Sequence, residues 1–364
     1  MPRCLPLLKK LTLALLLLSL VVSVPAALAS TVKAEDGKKM KVAFVYAYNI
    51  GDYGWIYSHD QARKKVEEKL GFVQTKGIEN VPKDSNAERV LTDLVKEGYK
   101  VIVCTSYDYQ KTTLKVAEKY PEVYFLNSTG SVVADNVGSY FGKTFEANYL
   151  AGVLAGLMTK TNKLGYVGGN PINVGILDVN AFLLGAQQVN PKAELKVIWI
   201  NTWFNPAKER EAALSLVDVG ADVLGHDTNT PAIHQAAQSK GVYSIGRNTD
   251  MSRFAPKAVL TGIIWTWDGY YEPTLKAIHE GTFKPSAYWG GLQDGVVSMA
   301  PYADFIPADK IKIVEEYKAK LLAGEPVFKG PIYDNQGKLR VPEGKSLSDD
   351  ELRKVDWYVK GILP

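Results

Sequence analysis

The sequence predicts an α/β protein with two lobes, each a doubly wound layer built on a parallel sheet. From Met40 onward, short runs rich in valine and isoleucine alternate with amphipathic helical stretches, as they do in βαβ units. Glycines such as Gly71 and Gly98 stand where helical stretches end, which is typical of helix termination. Two such series follow one another, which is more than one domain usually holds.

The individual elements follow from the same alternation. In the first series we expect strands at 41–46, 101–104 and 123–126, and helices at 58–70, 86–97 and 110–119. A helix at 145–158 leads into the second series, with strands at 164–167, 195–200, 223–224, 242–245 and 259–264, and helices at 179–189, 206–218 and 231–240.

The pattern changes after Trp267. A helix at 270–280 precedes a glycine-rich strand region at 289–299, and Ser348 is the N-cap of a short final helix that could return to the first lobe. We assign 40–142 with 268–292 to the first lobe, 143–267 with 293–330 to the second, and 331–364 to a C-terminal tail. Chain crossings between lobes would place a ligand in a hinged cleft.

The amino terminus, residues 1–29, is predicted to be a secretory signal peptide. Three basic residues precede an apolar stretch at 11–24, and Ala27-Leu28-Ala29 forms a small-x-small cleavage site. This stretch is shorter than the roughly 20 residues of a membrane-spanning helix, and no cysteine follows it directly to carry a lipid. We expect a periplasmic or secreted protein.

Composition argues against several classes of partner. Removal of the signal lowers the formal net charge from +4 to about +1, and charge is spread without a basic block, so we expect neither nucleic acid nor an anionic membrane as a partner. Cys104, inside the apolar run 101–104, is the cysteine that remains after cleavage. A buried hydrophobic role suits it better than a reactive one.

Four aromatic residues indicate where a ligand binds. Trp55, Phe204, Trp265 and Trp267 each follow a predicted strand directly or in the adjoining loop. Ligands of open α/β sheets bind outside the carboxyl ends of the strands, so these rings predict a cleft that stacks on a flat ligand. Trp267 is equally suited to the core.

Polar candidates come from the same loops. Asn49 and Asp52 precede Trp55 in a glycine-rich loop and offer hydrogen bonds to a ligand, or they shape the turn and cap the helix. Asp108 either receives ligand N–H groups or caps the helix that begins at Gln110. The remaining candidates after strands are Tyr107, Trp203, His226 and Asn248; for His226 a turn or capping role is the alternative.

Signatures of catalysis are scarce. The sequence has four histidines and lacks C-x-x-C, G-x-S-x-G and the P-loop motif. His226 and His234 are eight residues apart with Pro231 between them, which excludes the H-E-x-x-H arrangement. We expect no enzyme activity, no metal and no cofactor.

Several segments together give the chain a family resemblance. They are 49–55, Tyr140-Phe141-Gly142-Lys143, 151–156, Asn180-Ala181-Phe182 with Gly185-Ala186, 203–209 and Gly220-Ala221-Asp222-Val223. In order and spacing they resemble the basic membrane protein family of ABC-transporter substrate-binding proteins, whose best-known members are purine nucleoside receptors.

The resemblance implies a type I periplasmic-binding fold with three hinge crossings and a purine held between aromatic rings. Phe204 matches the base-stacking phenylalanine of the family. Asn49, Asp52 and Trp55 lie in one of its contact loops, and Asp108 lies in another. It also implies an ABC permease as partner; we expect a monomer.

Two positions depart from the nucleoside-binding members. Those members carry an aspartate where this chain has Asn248 and a lysine where it has Trp265, and both contact the ribose. An amide accepts a hydroxyl less strongly than a carboxylate, and an indole adds bulk. The resemblance therefore implies a free purine base, adenine-like, as ligand. A purine nucleoside remains the alternative, and a nucleoside-cleaving enzyme or a membrane-bound sensor is less favoured.

Overall fold

The structure is a computed structural model that describes residues 39–363, apart from the side chain of Asp52. The predicted signal peptide, residues 1–29, lies outside the described residues. Within them, none of the helices combines the length and hydrophobicity that crossing a membrane requires. The chain forms a mixed α/β fold with parallel sheets, which confirms the predicted fold class.

Strands and helices alternate through most of the chain. The strands are β1 (Met40–Val45), β2 (Val73–Ile78), β3 (Val101–Cys104), β4 (Tyr124–Ser128), β5 (Val137–Gly142), β6 (Lys163–Gly168), β7 (Glu194–Trp199), β8 (Val223–His226), β9 (Tyr243–Asn248), β10 (Val259–Trp265), β11 (Ala287–Gly290), β12 (Val297–Met299), β13 (Ile332–Tyr333), β14 (Leu339–Val341) and β15 (Ile362–Leu363). The helices are α1 (Trp55–Lys69), α2 (Asn86–Lys96), α3 (Gln110–Lys119), α4 (Thr144–Met158), α5 (Asn173–Val189), α6 (Pro206–Asp218), α7 (Ala232–Lys240), α8 (Asp268–His279), α9 (Ala308–Leu322) and α10 (Asp349–Leu352).

The strands form two large sheets. The first sheet has the order β11-β5-β4-β3-β1-β2, and all its neighbours are parallel. The second has the order β12-β10-β9-β8-β6-β7-β15, in which only the β12–β10 pair is antiparallel. Because parallel strands end at one edge, each sheet presents a row of loops at its carboxyl ends.

The chain passes between the two sheets three times, the number that the resemblance implies. The crossings lie between β5 and α4, between β10 and α8, and between β11 and β12. Backbone hydrogen bonds join them: Lys143 N–H donates to Gly290 O at 2.7 Å, and Thr266 N–H donates to Val296 O at 2.9 Å. The three segments therefore lie side by side.

Two glycines explain how α4 and α5 pack in the core. A Cβ added to Gly152 would lie 1.9 Å from Phe182 O, and one added to Gly185 would lie 1.9 Å from Tyr149 O. These distances are far inside van der Waals contact, so a side chain at either position would push the helices apart. Gly152 and Gly185 lie in segments that carry the family resemblance, and both allow α4 and α5 to pack closely.

The C-terminal tail contains the predicted short helix. Helix α10 begins after Ser348 as predicted, with a capping box between Ser348 and Glu351. The tail contacts both sheets: Arg353, next to α10, lies over the Trp289 ring of the first sheet, and β15 pairs with β7 of the second sheet. The predicted strand region at 289–299 is two strands, β11 and β12, which belong to different sheets.

Sequence reasoning missed β2, β5 and α9. Strand β2 is an edge strand whose residues after Val73 are only partly buried or exposed, so its apolar signal is weak. Helix α9 is largely solvent-facing, with Val314 as its buried residue. Helix α1 begins at Trp55 and not at Ser58, which places this tryptophan on a helix instead of in a loop.

Candidate functional site

The loops at the carboxyl ends of the two sheets meet each other. The Thr249 hydroxyl donates to Tyr53 O at 2.6 Å, and the rings of Tyr53 and Phe254 lie 5.2 Å apart, edge to face. A Cβ on Gly54 would lie 2.7 Å from Asn229 O, so this glycine permits the close approach. The site lies where these loops converge.

Three tryptophans form the tryptophan cluster: Trp55, Trp265 and Trp267. Trp265 and Trp267 stack with centroids 4.2 Å apart, and the Trp55 ring meets each of them edge-on at 5.4 Å. The Trp55 indole N–H donates to Thr105 O at 2.8 Å. Because Trp55 belongs to α1 and Trp265 to β10, the cluster connects elements of both sheets.

Trp267 is a core residue and not part of the ligand surface. It is fully buried, its ring stacks on His59 at 4.6 Å, and its N–H donates to Ser58 Oγ at 3.1 Å. The core role that the sequence left open for Trp267 is therefore the one that the structure shows, with its ring stacked on Trp265.

Asn248 and Trp265 are hydrogen-bonded to each other. The Trp265 indole N–H donates to Asn248 Oδ1 at 2.9 Å, while Asn248 Nδ2 donates to Asn229 Oδ1 at 2.9 Å and to Thr228 O at 3.3 Å. Asn248 adopts φ of +69°, a left-handed conformation that asparagine tolerates. Both ends of the carboxamide are therefore engaged by protein groups.

Trp203 and Phe204 are the open aromatic surface of the second sheet. Phe204 is 50% exposed and Trp203 is 38% exposed, with the Trp203 ring against Gly169. Asn205 caps α6 by accepting from Lys208 N–H at 3.0 Å. Phe204 thus stands in a fixed loop with half of its surface available.

Glu209 fixes that loop and was missed by sequence reasoning. Its carboxylate is buried and accepts from the Asn205 N–H at 3.2 Å and from the Thr230 hydroxyl at 2.6 Å. Burial raises its pKa, and the hydrogen bonds from Thr230 and Asn205 oppose that shift. The residue joins the loops after β7 and β8.

The candidates on the first sheet have structural partners. Asn49 is exposed and caps a short 3-10 helix by accepting from Gly51 N–H at 3.0 Å. Asp108 forms an ion pair with Lys83 at 2.8 Å, and Ser106 rather than Asp108 supplies the cap in this loop. Tyr107 is 59% exposed and lines, with Asp108 and Lys83, an open depression of about 460 Å³.

His226 lies in the core, which corrects its selection as a ligand donor. Its Nδ1 lies 3.1 Å from Thr228 Oγ1 and its Nε2 lies 3.1 Å from His234 Nε2, so both ring nitrogens have protein partners. Burial lowers the pKa of both histidines, that of His234 to about 3. The pair forms because strand β8 and the following helix α7 pack together.

A buried charge cluster lies beside Trp265 and was also missed. Arg247 Nη2 pairs with Asp178 at 2.9 Å, and the guanidinium lies 5.8 Å from the centre of a Trp265 ring. Asp227 accepts from Gly169 N–H at 2.6 Å. Asp227 and Arg247 adjoin the selected residues His226 and Asn248. The partner of Arg247, Asp178, lies 69 residues away along the chain, which no local pattern reveals.

Burial raises the pKa of Asp227 to about 7, with Arg247 opposing the shift. Burial also raises the pKa of Asp178. In the described part of the chain, Arg247 is paired with Asp178 alone, while its charge acts on both carboxyls and opposes the rise in their pKa. A neutral Asp227 therefore leaves a balanced Asp178–Arg247 pair. Across residues 39–363, no group of three or more histidine, cysteine, aspartate or glutamate side chains is arranged to hold a metal ion.

Asp227→Asn should stabilise the protein more at pH 8 than at pH 5. Because the folded-state pKa of Asp227 lies above the unfolded value of about 3.9, the wild type loses stability as the pH rises toward 7 and above. Asparagine keeps the acceptor for Gly169 and does not ionise. In urea titrations at both pH values, we expect the free energy of unfolding of the variant relative to wild type to rise by on the order of 2–4 kcal/mol.

Asp304→Asn is the matched control, because Asp304 is exposed; its difference from wild type should not change with pH. The buried histidines are common to all three proteins and cancel in the comparison. A pH-independent difference for Asp227→Asn would contradict the account.

The sequence has clear relatives among transport proteins. A family model described as "ABC transporter substrate-binding protein PnrA-like" matches residues 39–325. A purine-binding protein of Brucella abortus is 40% identical over 331 residues, which are 90% of this chain and 94% of that protein. A putative ABC transporter glucose-binding protein of Haloferax volcanii is 41% identical over 261 residues, 72% of this chain and 66% of that protein.

Solved structures agree with the fold. An ABC transporter solute-binding protein from Conexibacter woesei superposes with a TM-score of 0.67 at 22% identity, covering 78% of this chain and 97% of that one. At 22% identity, the similarity to this structure shows a shared fold and nothing further. The matched span and the identity to the Brucella protein establish the family: the chain belongs to the PnrA-like, or Bmp, family of ABC transporter substrate-binding proteins.

Proposed function

We propose that this protein captures a free purine base between its two lobes and delivers it to an ABC permease. Its family gives the general role, binding a small molecule for a transporter. The name of the Brucella relative supports a purine as ligand. The observation that carries the choice of base over nucleoside is the Trp265–Asn248 hydrogen bond.

This bond removes what a ribose would need. In the family alignment that the resemblance implies, positions 248 and 265 hold the carboxylate and the ammonium that contact the sugar. Here the Asn248 carboxamide is committed to Trp265, Asn229 and Thr228. The Trp265 ring is held in a stack on Trp267, and in this proposal it fills the volume that a ribose would take. A base without a sugar requires neither group.

The remaining surfaces suit a flat heterocycle. Phe204 offers a half-exposed ring, and Trp55 is partly exposed, with its indole N–H bonded to Thr105 O. Stacking on an aromatic side chain contributes about 1–3 kcal/mol per base in nucleic-acid sites. The loop with Asn49 and Asp52, and that with Tyr107 and Asp108, would supply polar contacts to the edge of the base.

Binding would close the lobes over the ligand. We assign 40–142 with 268–292 to one lobe and 143–267 with 293–330 to the other, joined by the three crossings. A ligand that contacts both lobes stabilises the closed arrangement by its preference for it. We further propose export of a monomer through the signal at 1–29, and no catalytic step.

Calorimetry with adenine, hypoxanthine, guanine and their nucleosides should give tighter binding for a base than for its nucleoside. The expected reason is that Trp265 excludes the ribose. Chromatography of the mixture after titration should return intact nucleoside, as expected of a receptor without catalytic activity. Tighter binding of adenosine than adenine would contradict the proposal, and so would binding of glucose in preference to any purine.

A double variant, Asn248→Asp with Trp265→Lys, should shift the preference toward nucleosides. The two changes are made together so that the new carboxylate and the new ammonium balance each other beside Arg247, whose guanidinium lies 5.8 Å from the Trp265 ring centre. We expect the adenosine-to-adenine affinity ratio to rise at least tenfold, about 1.4 kcal/mol.

Trp265→Phe is the matched control, because it keeps an aromatic ring and adds no cation, although it loses the indole N–H and part of the bulk. Its adenosine-to-adenine affinity ratio should rise less than that of the double variant. If the double variant folds and its affinity ratio equals that of wild type, positions 248 and 265 do not form the ribose site.

A further inference from the structure

The family model matches residues up to 325. The C-terminal tail lies beyond that match and is attached to the second lobe. Strand β15 lies parallel to β7 in the second sheet. Asn180 of α5 holds the tail with both ends of its side chain: Nδ2 donates to Trp357 O at 2.8 Å, and Oδ1 accepts from Val359 N–H at 3.0 Å.

Further contacts make this attachment firm. Asn173 Nδ2 donates to Val355 O at 3.1 Å, and the Trp199 N–H donates to Tyr358 OH at 3.1 Å. Val355 and Val359 are themselves buried in the core. The tail will therefore move with the second sheet.

The opposite side of the tail reaches the crossings and the first sheet. Asp349 of α10 pairs with Lys143 at 2.9 Å, and Lys143 lies in the first crossing. The Arg353 guanidinium lies 4.1 Å from the ring centre of Trp289, which belongs to β11 of the first sheet. Lys143 Nζ lies 5.2 Å from that same ring, so two cations flank one indole.

The geometry of α10 sets both contacts at once. Ser348 N–H donates to Glu351 Oε2 at 2.8 Å, and Ser348 Oγ accepts from Glu351 N–H at 3.4 Å. This capping box fixes the start of the helix. Asp349 and Arg353 are four residues apart, which places them on the same face of a helical turn.

We propose that the tail is a brace across the crossings that favours the closed arrangement of the lobes. The contacts of the brace are present in this structure. The loops of the two sheets also touch here, since the Thr249 hydroxyl donates to Tyr53 O. A rotation that separates the lobes displaces Trp289 relative to Arg353. Trp289 belongs to the first sheet, whereas Arg353 belongs to the tail, which is attached to the second sheet. Contacts that exist in only one of the two arrangements shift the population toward that arrangement. The inference rests on the proposed closure of the two lobes.

Small-angle X-ray scattering and spin-label distances across the lobes, both without ligand, test the brace. Arg353→Gln and Asp349→Asn remove its two polar contacts, and Lys354→Gln and Asp350→Asn are matched controls at adjacent exposed positions. The double variant should raise the ratio of open to closed molecules about 3- to 10-fold, the range expected of one cation–π contact and one exposed ion pair. The controls should match wild type.

Adenine dissociation, followed by tryptophan fluorescence in a stopped-flow instrument, should accelerate by a similar factor in the double variant. Trp289→Phe, which weakens the cation–π contacts from the other side, should act in the same direction with an unchanged melting temperature. Scattering and distances equal to wild type in both variants would overturn the brace, as would a shift toward closed molecules. Failure of the wild type to bind adenine would instead overturn the proposed ligand, while the ligand-free measurements would still decide on the brace.

Discussion

The hydrogen bond from the Trp265 indole to the Asn248 carboxamide is the contact on which the rest of the site depends. It joins the ends of β9 and β10, orients the ring that stacks on Trp267, and occupies the side-chain oxygen of Asn248. A buried neutral hydrogen bond contributes about 1 kcal/mol net, but leaving either partner unsatisfied costs about 1–3 kcal/mol. The pair is therefore expected to stay formed whether or not a ligand is present.

The surroundings reinforce that arrangement. Asn248 is also held by Asn229, whose backbone N–H donates to Trp203 O at 3.1 Å, so the loops after β7, β8 and β9 are linked. Beside them, the Asp178–Arg247 pair is buried and charge-assisted. A site of fixed polar groups binds with little reorganisation, so the proposed closure would require movement at the crossings between the lobes.

Local patterns in the sequence predicted most of the fold and part of the candidate site. Alternation of strands and helices predicted most of the elements, including the start of α6 at Pro206, and the Ser348 N-cap signal placed the start of α10. Strand β2 escaped because an edge strand lacks a continuous apolar run. The rings of Trp55 and Trp265 were identified from their positions after strands, and the structure brings these two together.

The contacts that sequence reasoning missed join residues distant along the chain. Arg247 and Asp178 pair across 69 residues, and His226 meets His234 only because β8 and α7 pack together. Whether a ring faces the cleft or the core also depends on packing, which is why the sequence left Trp267 open between the two and selected His226, a buried residue, as a ligand candidate. Periodicity specifies which face of an element is apolar, but it does not specify which element lies opposite.

The most direct test of the central claim is to identify the ligand that the purified protein retains. Native mass spectrometry would measure the mass of the bound molecule, and release under denaturing conditions would allow its identification by chromatography. The structure of the Trp265–Asn248 pair predicts a free purine base in the cleft. A retained purine nucleoside or a sugar would contradict the claim that Trp265 closes the ribose site.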